Sequence, residues 1–233
     1  MDNNKPEGYD FKEGEVLLFD KPYEWTSFDL VNKVRKKLCN YLGVKKIKVG
    51  HAGTLDPLAT GLLIVCTGKA TKTIDSYQAK EKEYVATLQL GSTTPSFDLE
   101  TEIDQTYPTE HITRELVDKT LLDFIGELDQ VPPAFSAVKV KGKRAYEFAR
   151  EGKEPELKAK KLVIKEIEVL SFKPEELVLR IVCSKGTYIR GLARDIGKAL
   201  DSGAHLTALK RTRIGQYINE NAMNIETFEK KLK

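Results

Sequence analysis

The chain has 233 residues, of which 40% are hydrophobic and 31% charged, with a formal net charge of +3. This length and composition suit one large domain, or one domain with an appendage, and exclude a fibrous or disordered chain. The charge is too small to announce a nucleic-acid partner by itself. Its distribution is uneven: Lys33, Arg35, Lys36, Lys37, Lys45, Lys46 and Lys48 follow one another without an acid, whereas acids dominate from Asp98 to Asp129. Such asymmetry implies a positive and a negative side. Cys39, Cys66 and Cys183 are widely spaced and read as free thiols of a reducing compartment. His51, His111 and His205 lack metal-ligand spacing, so no metal is expected. The N-terminus is polar, and no apolar run approaches the roughly 20 residues of a membrane helix. The reading is a cytoplasmic chain without a membrane segment.

In chain order, residues 1–13 read as a flexible lead-in and 14–233 as the folded domain. Glu15–Asp20 reads as a short strand ending at Asp20-Lys21-Pro22. Ser27 is a good N-cap for a helix with Phe28, Val31, Val34 and Leu38 on one face. Lys48–Gly50 reads as the end of a strand and Leu62–Cys66 as a buried strand. Between them lies a loop with glycines at 50, 53 and 61 and one acid, Asp56. Glycine permits close backbone approaches, and Pro57 biases Asp56 towards an extended conformation. The loop therefore presents a single carboxylate on a shaped backbone. It has no phosphate-loop Lys-Ser/Thr, no Ser elbow and no second carboxylate nearby. On spacing alone, a turn-bracing role for Asp56 is an equally good reading.

A helix then runs to about Gln78, and Lys82–Leu90 alternates as a strand with Tyr84, Ala86, Leu88 and Leu90 on one side. Thr113 caps an acidic helix expected to turn Leu116, Leu121, Leu122, Phe124 and Ile125 inward. Pro132 and Pro133 exclude a helix across 130–139, and Gly142–Gly152 reads as a short helix closed by glycine. Residues 160–172 and 175–184 read as a hairpin. Tyr188–Arg190 opens a helix with Leu192, Ile196 and Leu200 recurring every four residues, and His205–Tyr217 reads as a strand. Hairpins outnumber strand-helix-strand units, so the class is α+β with a mixed, largely antiparallel sheet.

His51-Ala-Gly-Thr-Leu-Asp56-Pro-Leu-Ala-Thr-Gly61 closely resembles the catalytic motif of bacterial tRNA pseudouridine synthases of the B family (TruB). Asp20-Lys21-Pro22, with Thr26-Ser27 and Asp29-Leu30-Val31, resembles the family's first motif, whose lysine and proline support the catalytic loop. Glu24 stands where the family has glycine. Gly91–Thr101 is similar to a family loop with two threonines, an aspartate and a glycine; here Ser96 replaces one threonine, Thr101 replaces the glycine, and Asp98 is kept. The Pro132–Ala137 block with Tyr146 and Ala149–Gly152, and Gly186-Thr-Tyr188-Ile-Arg190, match further motifs. The resemblance covers roughly residues 14–217 and implies the pseudouridine synthase fold, a long bent sheet with the active cleft across its middle. About fifteen residues follow, too few for the PUA-type RNA-binding domain that members commonly carry.

The resemblance also implies the reaction. Uracil of the TΨC-loop uridine in tRNA is detached from ribose, turned and rejoined through carbon 5, with no cofactor and no metal. A carboxylate is needed near the sugar, as nucleophile at the anomeric carbon or as base at its neighbour; Asp56 fits either role. A carboxylate drawn out of water tends to take up a proton, and a guanidinium beside it opposes this. Arg190 is where the family supplies that charge, which arginine keeps when buried. The base must leave its stack, and an aromatic ring offsets part of that cost. Tyr84 matches the stacking tyrosine, Tyr188 one that shapes the pocket, and His51 the histidine set against the flipped RNA. Lys21 and Asp98 join the expected substrate-binding set, with Lys139, Lys210 and Arg211 as phosphate contacts and Lys141 and Lys143 as further candidates. Either tyrosine could instead be a half-buried scaffold residue, and each basic cluster a solvated face. The expected partner is the tRNA TΨC stem-loop, bound by a monomer with no obligate protein partner. The competing readings are a T-loop RNA-folding chaperone and a guide-dependent ribonucleoprotein synthase.

Overall fold

The computed structural model describes residues 8–140, 142–153 and 155–232. Lys141 and residues 1–7 of the expected lead-in lie outside the described residues. The elements in order are β1 (Val16–Lys21), α1 (Ser27–Tyr41), β2 (Val49–His51), β3 (Ala59–Thr67), a 3₁₀ segment (Gly68–Thr73), α2 (Ile74–Gln78), β4 (Lys82–Leu90), β5 (Ser92–Thr93) and β6 (Gln105–Thr106). They continue with α3 (Arg114–Leu122), β7 (Gly126–Gln130), β8 (Lys139–Val140), β9 (Lys143–Arg144), α4 (Ala145–Arg150), β10 (Lys160–Lys173), β11 (Glu176–Cys183), α5 (Ile189–Ala199), β12 (Ala204–Ile214), β13 (Tyr217–Ile218) and α6 (Ile225–Lys231). The chain divides into two units, Met1–Glu83 with Lys210–Lys233, and Tyr84–Leu209. The strands β4 and β12 run from one to the other.

The first unit is built on β3. The strand β1 pairs antiparallel with it from Val16↔Cys66 to Lys21↔Gly61, and β2 pairs with its far end, Val49↔Thr67 to His51↔Val65. The end of β12 is its other neighbour. Leu63 and Val65 pack with Phe19, Val34, Leu38 and Phe228, while Leu62, Ile64 and Cys66 pack with Ala52 and Ile214. Both faces of β3 are covered, which is why its sequence is a continuous apolar run instead of an alternating one. The helix α1 starts one residue earlier than Ser27 suggests. Thr26 is the N-cap: its Oγ1 accepts from Asp29 N, and the Asp29 carboxylate accepts from Thr26 N, a capping box. The inward stripe is Ser27, Leu30, Val31, Val34 and Leu38, and Phe28 is 62% exposed on the flank.

Part of the expected lead-in and the C-terminal residues both join this core. Phe11, in the lead-in, is buried, stacks on Tyr9 and meets Tyr41 and Phe228 edge-on. At the other end, Met223 N donates to Leu18 O, Asp20 N donates to Met223 O, and the Phe228 ring lies 5.3 Å from that of Phe19. The described residues 9–13 are therefore anchored by aromatic burial.

In the second unit β11 and β10 form the expected antiparallel hairpin, and β7 pairs with the far side of β10 from Lys160↔Gln130 to Ile164↔Gly126. Tyr84, Ala86, Leu88 and Leu90 of β4 are buried as the alternation requires. The stripe of α3 differs from expectation. Val117, Thr120 and Leu121 face inward, while Leu122 and Ile125 are exposed. The strand β12 stops at Ile214; Gly215, with φ +55, turns the chain into β13. The three cysteines are free. No helix among the described residues is long and apolar enough to cross a membrane.

If the C-terminal segment belongs to the core, Phe228→Ala should lower the unfolding free energy by about 3–5 kcal/mol in urea titrations. A loss below about 1 kcal/mol would show that this end contributes little.

Candidate active site

In the first unit the Asp56 loop joins β2 to β3. It is pinned by backbone bonds at each end, Ala52 N to Ile64 O and Ala59 N to Asp56 O. Gly53 and Gly61 have φ +103 and +99, a region that favours glycine. A Cβ on Gly61 would lie 2.3 Å from Arg211 O, so only glycine lets β12 approach. The Ser27 hydroxyl, at the start of α1, accepts from Leu55 N at 2.8 Å and donates to Leu55 O at 3.1 Å.

Two buried cations hold this loop. Lys21 is 0% exposed, and its ammonium donates to Pro22 O, Trp25 O and Pro57 O at 2.9, 2.5 and 3.2 Å. Three acceptors match its three donors. Arg211, 1% exposed, donates from Nε to Leu62 O at 2.8 Å, from Nη2 to Gly53 O at 3.1 Å and from Nη1 to Thr54 O at 3.5 Å. Burial lowers the Lys21 pKa from 10.5 to about 8, with Asp56 opposing the shift and Arg211 adding to it. Burial and then Arg211 also lower that of His51, which leaves the imidazole neutral at pH 7.

The sequence reading takes Lys21 both as a support of the catalytic loop and as a substrate contact, and Arg211 as a phosphate contact; both side chains are buried against main-chain carbonyls. A side chain with no exposed surface and its donors given to loop carbonyls is a support for the loop. The signal was in the parity of β12: Arg211 shares a face with the half-buried Leu209, whereas Lys210 points to solvent. Lys210 and Lys139 are exposed, and Lys143 of β9 is too. In the basic run, Lys33 and Lys37 pair with Glu229, and Arg35 bonds Asn32 and Val49 O. Lys36, Lys45, Lys46 and Lys48 are left exposed. Glu24 has φ +67, a left-handed backbone that favours glycine.

The second unit carries Tyr84, Asp98, Tyr188 and Arg190. Tyr84 is 8% exposed, and Tyr188 is the half-buried N-cap residue of α5. Arg190, buried in the first turn, lies 3.5 Å from Asp98 Oδ2 and donates to Ser96 O at 3.0 Å and Phe135 O at 2.8 Å. It thus ties the Asp98 loop and the Pro132–Ala137 block to α5. Asp98 is itself buried, so the structure places it beside Arg190 as a counter-charge. Ser96 and Thr101, the two departures from the family loop, bond each other at 2.9 Å. A residue not anticipated is Gln130. Its carboxamide donates to Tyr188 O and accepts from Tyr188 N, at 3.0 and 2.9 Å, fixing the backbone that leads into Arg190. A Cβ on Gly191 would sit 3.2 Å from that side chain.

Known structures share this fold. The chain is similar to one in the "Crystal Structure of a Cbf5-Nop10-Gar1 Complex", with TM-score 0.69 and 28% identity over 97% of this chain and 57% of that one. It is also similar to one in the "Structure of H/ACA RNP bound to a substrate RNA containing 2'-deoxyuridine", with TM-score 0.68, 26% identity, and 97% and 56% coverage. It spans little more than half of either chain. Residues 39–189, which include His51, Asp56, Tyr84, Asp98 and Tyr188, match the TruB family pseudouridylate synthase (N terminal domain), so the class is that of the pseudouridylate synthases. Residues 190–233 match the tRNA pseudouridylate synthase B C-terminal domain. Relatives named tRNA pseudouridine synthase B are 67% identical in Phocaeicola vulgatus (94% of this chain, 93% of the relative), 65% in Parabacteroides distasonis (94% and 94%) and 55% in Flavobacterium johnsoniae (96% and 98%). The chain belongs to the TruB family.

Lys21→Met tests the buried ammonium. The folded-state pKa of Lys21 lies below its unfolded value, so from about pH 8 to 10.5 the unfolded chain binds more protons. Wild-type stability relative to the variant should rise across that window, by about 3 kcal/mol in full; a flat difference contradicts the burial. Arg211→Lys keeps the charge but loses the fork. It should lower kcat by about 10²-fold and leave the salt dependence of tRNA binding unchanged. Arg211→Gln, which removes the charge, should likewise leave that slope unchanged, whereas loss of a phosphate contact would reduce the slope of log K against log salt by about 0.7–0.9.

Proposed function

We propose that this chain converts the uridine at position 55 of tRNA, in the TΨC loop, to pseudouridine. The supporting observation is the Asp56 loop, a single carboxylate on a backbone held by buried side chains, with the family's motif unbroken around it. The glycosidic bond from N1 to the anomeric carbon breaks, a bond from carbon 5 forms, carbon 5 loses its hydrogen to solvent and N1 gains a proton. Atoms and electrons balance without a co-reactant. Asp56 acts as nucleophile at the anomeric carbon or as base at its neighbour. Tyr84 stacks on the uracil and offsets about 1–3 kcal/mol of the cost of flipping it. Arg190 is the permanent positive charge of the reaction, with Asp98 fixing its orientation. Neutral His51 and Tyr188 shape the space around the flipped nucleotide. Lys36, Lys45, Lys46, Lys139 and Lys210 contact phosphates.

We read the protein as a cytoplasmic monomer that works without an obligate protein partner. The guide-dependent alternative has less support: the relatives named tRNA pseudouridine synthase B are 55–67% identical to this chain, and the chains from the two complexes 26–28%.

The test is tritium release from carbon 5 of labelled uridine in an unmodified T-loop hairpin. Wild type should release tritium in buffer with chelator and without nucleotides, and Asp56→Asn should bind the hairpin without release. Binding without release by wild type would favour the chaperone reading, and release only after a guide RNA is added would favour the ribonucleoprotein one.

A further inference from the structure

The far end of β3 from the Asp56 loop carries a second basic feature, within the first unit. A pocket of about 340 Å³ opens there, lined by Lys12, Lys48, Lys69 and Lys72 around Gly68 and Thr71. The lysines come from three separate segments, and main-chain bonds bring those segments together. Gly68 N donates to Lys48 O at 2.9 Å, Lys69 N to Glu13 O at 3.0 Å, and Thr67 N to Glu15 O at 2.9 Å. Gly68 has φ +50, and a Cβ there would lie 2.2 Å from Lys12 O, so glycine is what allows the segments to meet. Gly14 makes a matching approach, where a Cβ would lie 2.3 Å from Ala70 N. The frame is therefore built and does not depend on long side chains collecting by chance.

The charges are unbalanced. Lys69 pairs with Glu13 at 2.8 Å, but both are largely exposed, at 69% and 66%, so water screens the pair and an anion can displace it. Lys12, Lys48 and Lys72 are exposed and make no ion pair among the described residues. Three uncompensated ammonium groups at one concavity raise the local concentration of anions, and Ile47 and the lysine stems supply the apolar part of the lining.

We propose that this pocket binds a backbone phosphate of the tRNA outside the T arm. The inference rests on the reading of tRNA as substrate. Nine residues of β3 separate the pocket from the end of the catalytic loop. At about 3.3 Å per residue that is roughly 30 Å along the strand, so a phosphate held here and a nucleotide at the end of the loop belong to different parts of one large polyanion.

The experiment compares wild type, Lys12→Gln/Lys72→Gln, and Lys119→Gln/Lys198→Gln as a control of equal net charge. Binding of full-length unmodified tRNA and of the T-arm hairpin is measured over a series of KCl concentrations, with tritium release from the hairpin alongside. The Lys12/Lys72 variant should lose about tenfold in tRNA affinity, with its salt slope smaller by about one to two. Its hairpin affinity and hairpin turnover should match wild type, and the control should be unchanged. An unaltered tRNA slope overturns the proposal, as does an equal loss on the hairpin. Millimolar inorganic phosphate that binds wild type without weakening tRNA would assign the pocket to a free anion and also overturn it. Failure of wild type to turn over the hairpin would instead refute the proposed reaction, a separate result.

Discussion

Two buried cations beneath one loop set the conditions for the rest of the first unit. Removing an ammonium or a guanidinium from water costs several kcal/mol unless hydrogen bonds replace the lost hydration. Lys21 and Arg211 find those bonds on six main-chain carbonyls, of Pro22, Trp25, Pro57, Leu62, Gly53 and Thr54. The demand runs both ways, because a loop without regular main-chain pairing also needs donors for its carbonyls. Moving the loop would strip two charges of their partners at once. That coupling gives Asp56 a fixed place. It also explains why Gly61 must lack a side chain where β12 delivers Arg211, and why the first helical residue, Ser27, is turned to the loop.

The second unit uses the same physics with a different arrangement. Arg190 lies in the first turn of α5, where a cation gains nothing from the helix dipole. It is retained there by Asp98 and two carbonyls, and Gln130 fixes the preceding main chain from both sides. Phe97, with φ +63, and the Ser96–Thr101 hydroxyl pair shape the loop that offers the counter-charge. Ser96 and Thr101, the two departures from the family loop, meet in one hydrogen bond. Each unit therefore contributes charge that its own backbone holds in place.

Much of this was legible in the chain itself. The alternation in β4, the apolar run of β3, the β10–β11 hairpin and the period of α5 are strong local signals, and all stand. The Asp56 loop could be delimited by its glycines and Pro57, although its meaning came from family resemblance. What escaped was tertiary. Lys21 and Arg211 are residue types almost always found in water, so their burial runs against their chemistry; the parity of β12 is the one local signal for Arg211, and the first motif's resemblance the one for Lys21. Thr26 and Ser27 are both competent caps, and only the Asp29 bond chooses between them. Leu122 and Ile125 have the right chemistry for a core but lie past the stripe that α3 turns inward. The acidic strand β7 has too weak an alternation to announce itself. Phe11 looked like part of a loose end because its aromatic partners, Tyr41 and Phe228, are far away in sequence.

The most direct test of a positioned carboxylate is to move it without removing it. In single-turnover formation of pseudouridine on the T-loop hairpin, Asp56→Glu displaces the group by about one methylene while keeping its charge. If the buried cations hold the loop at a working geometry, the rate should fall by about 10²-fold with hairpin affinity unchanged. A rate within a few-fold of wild type would mean that the loop adapts, and that its rigid support is not what the chemistry requires.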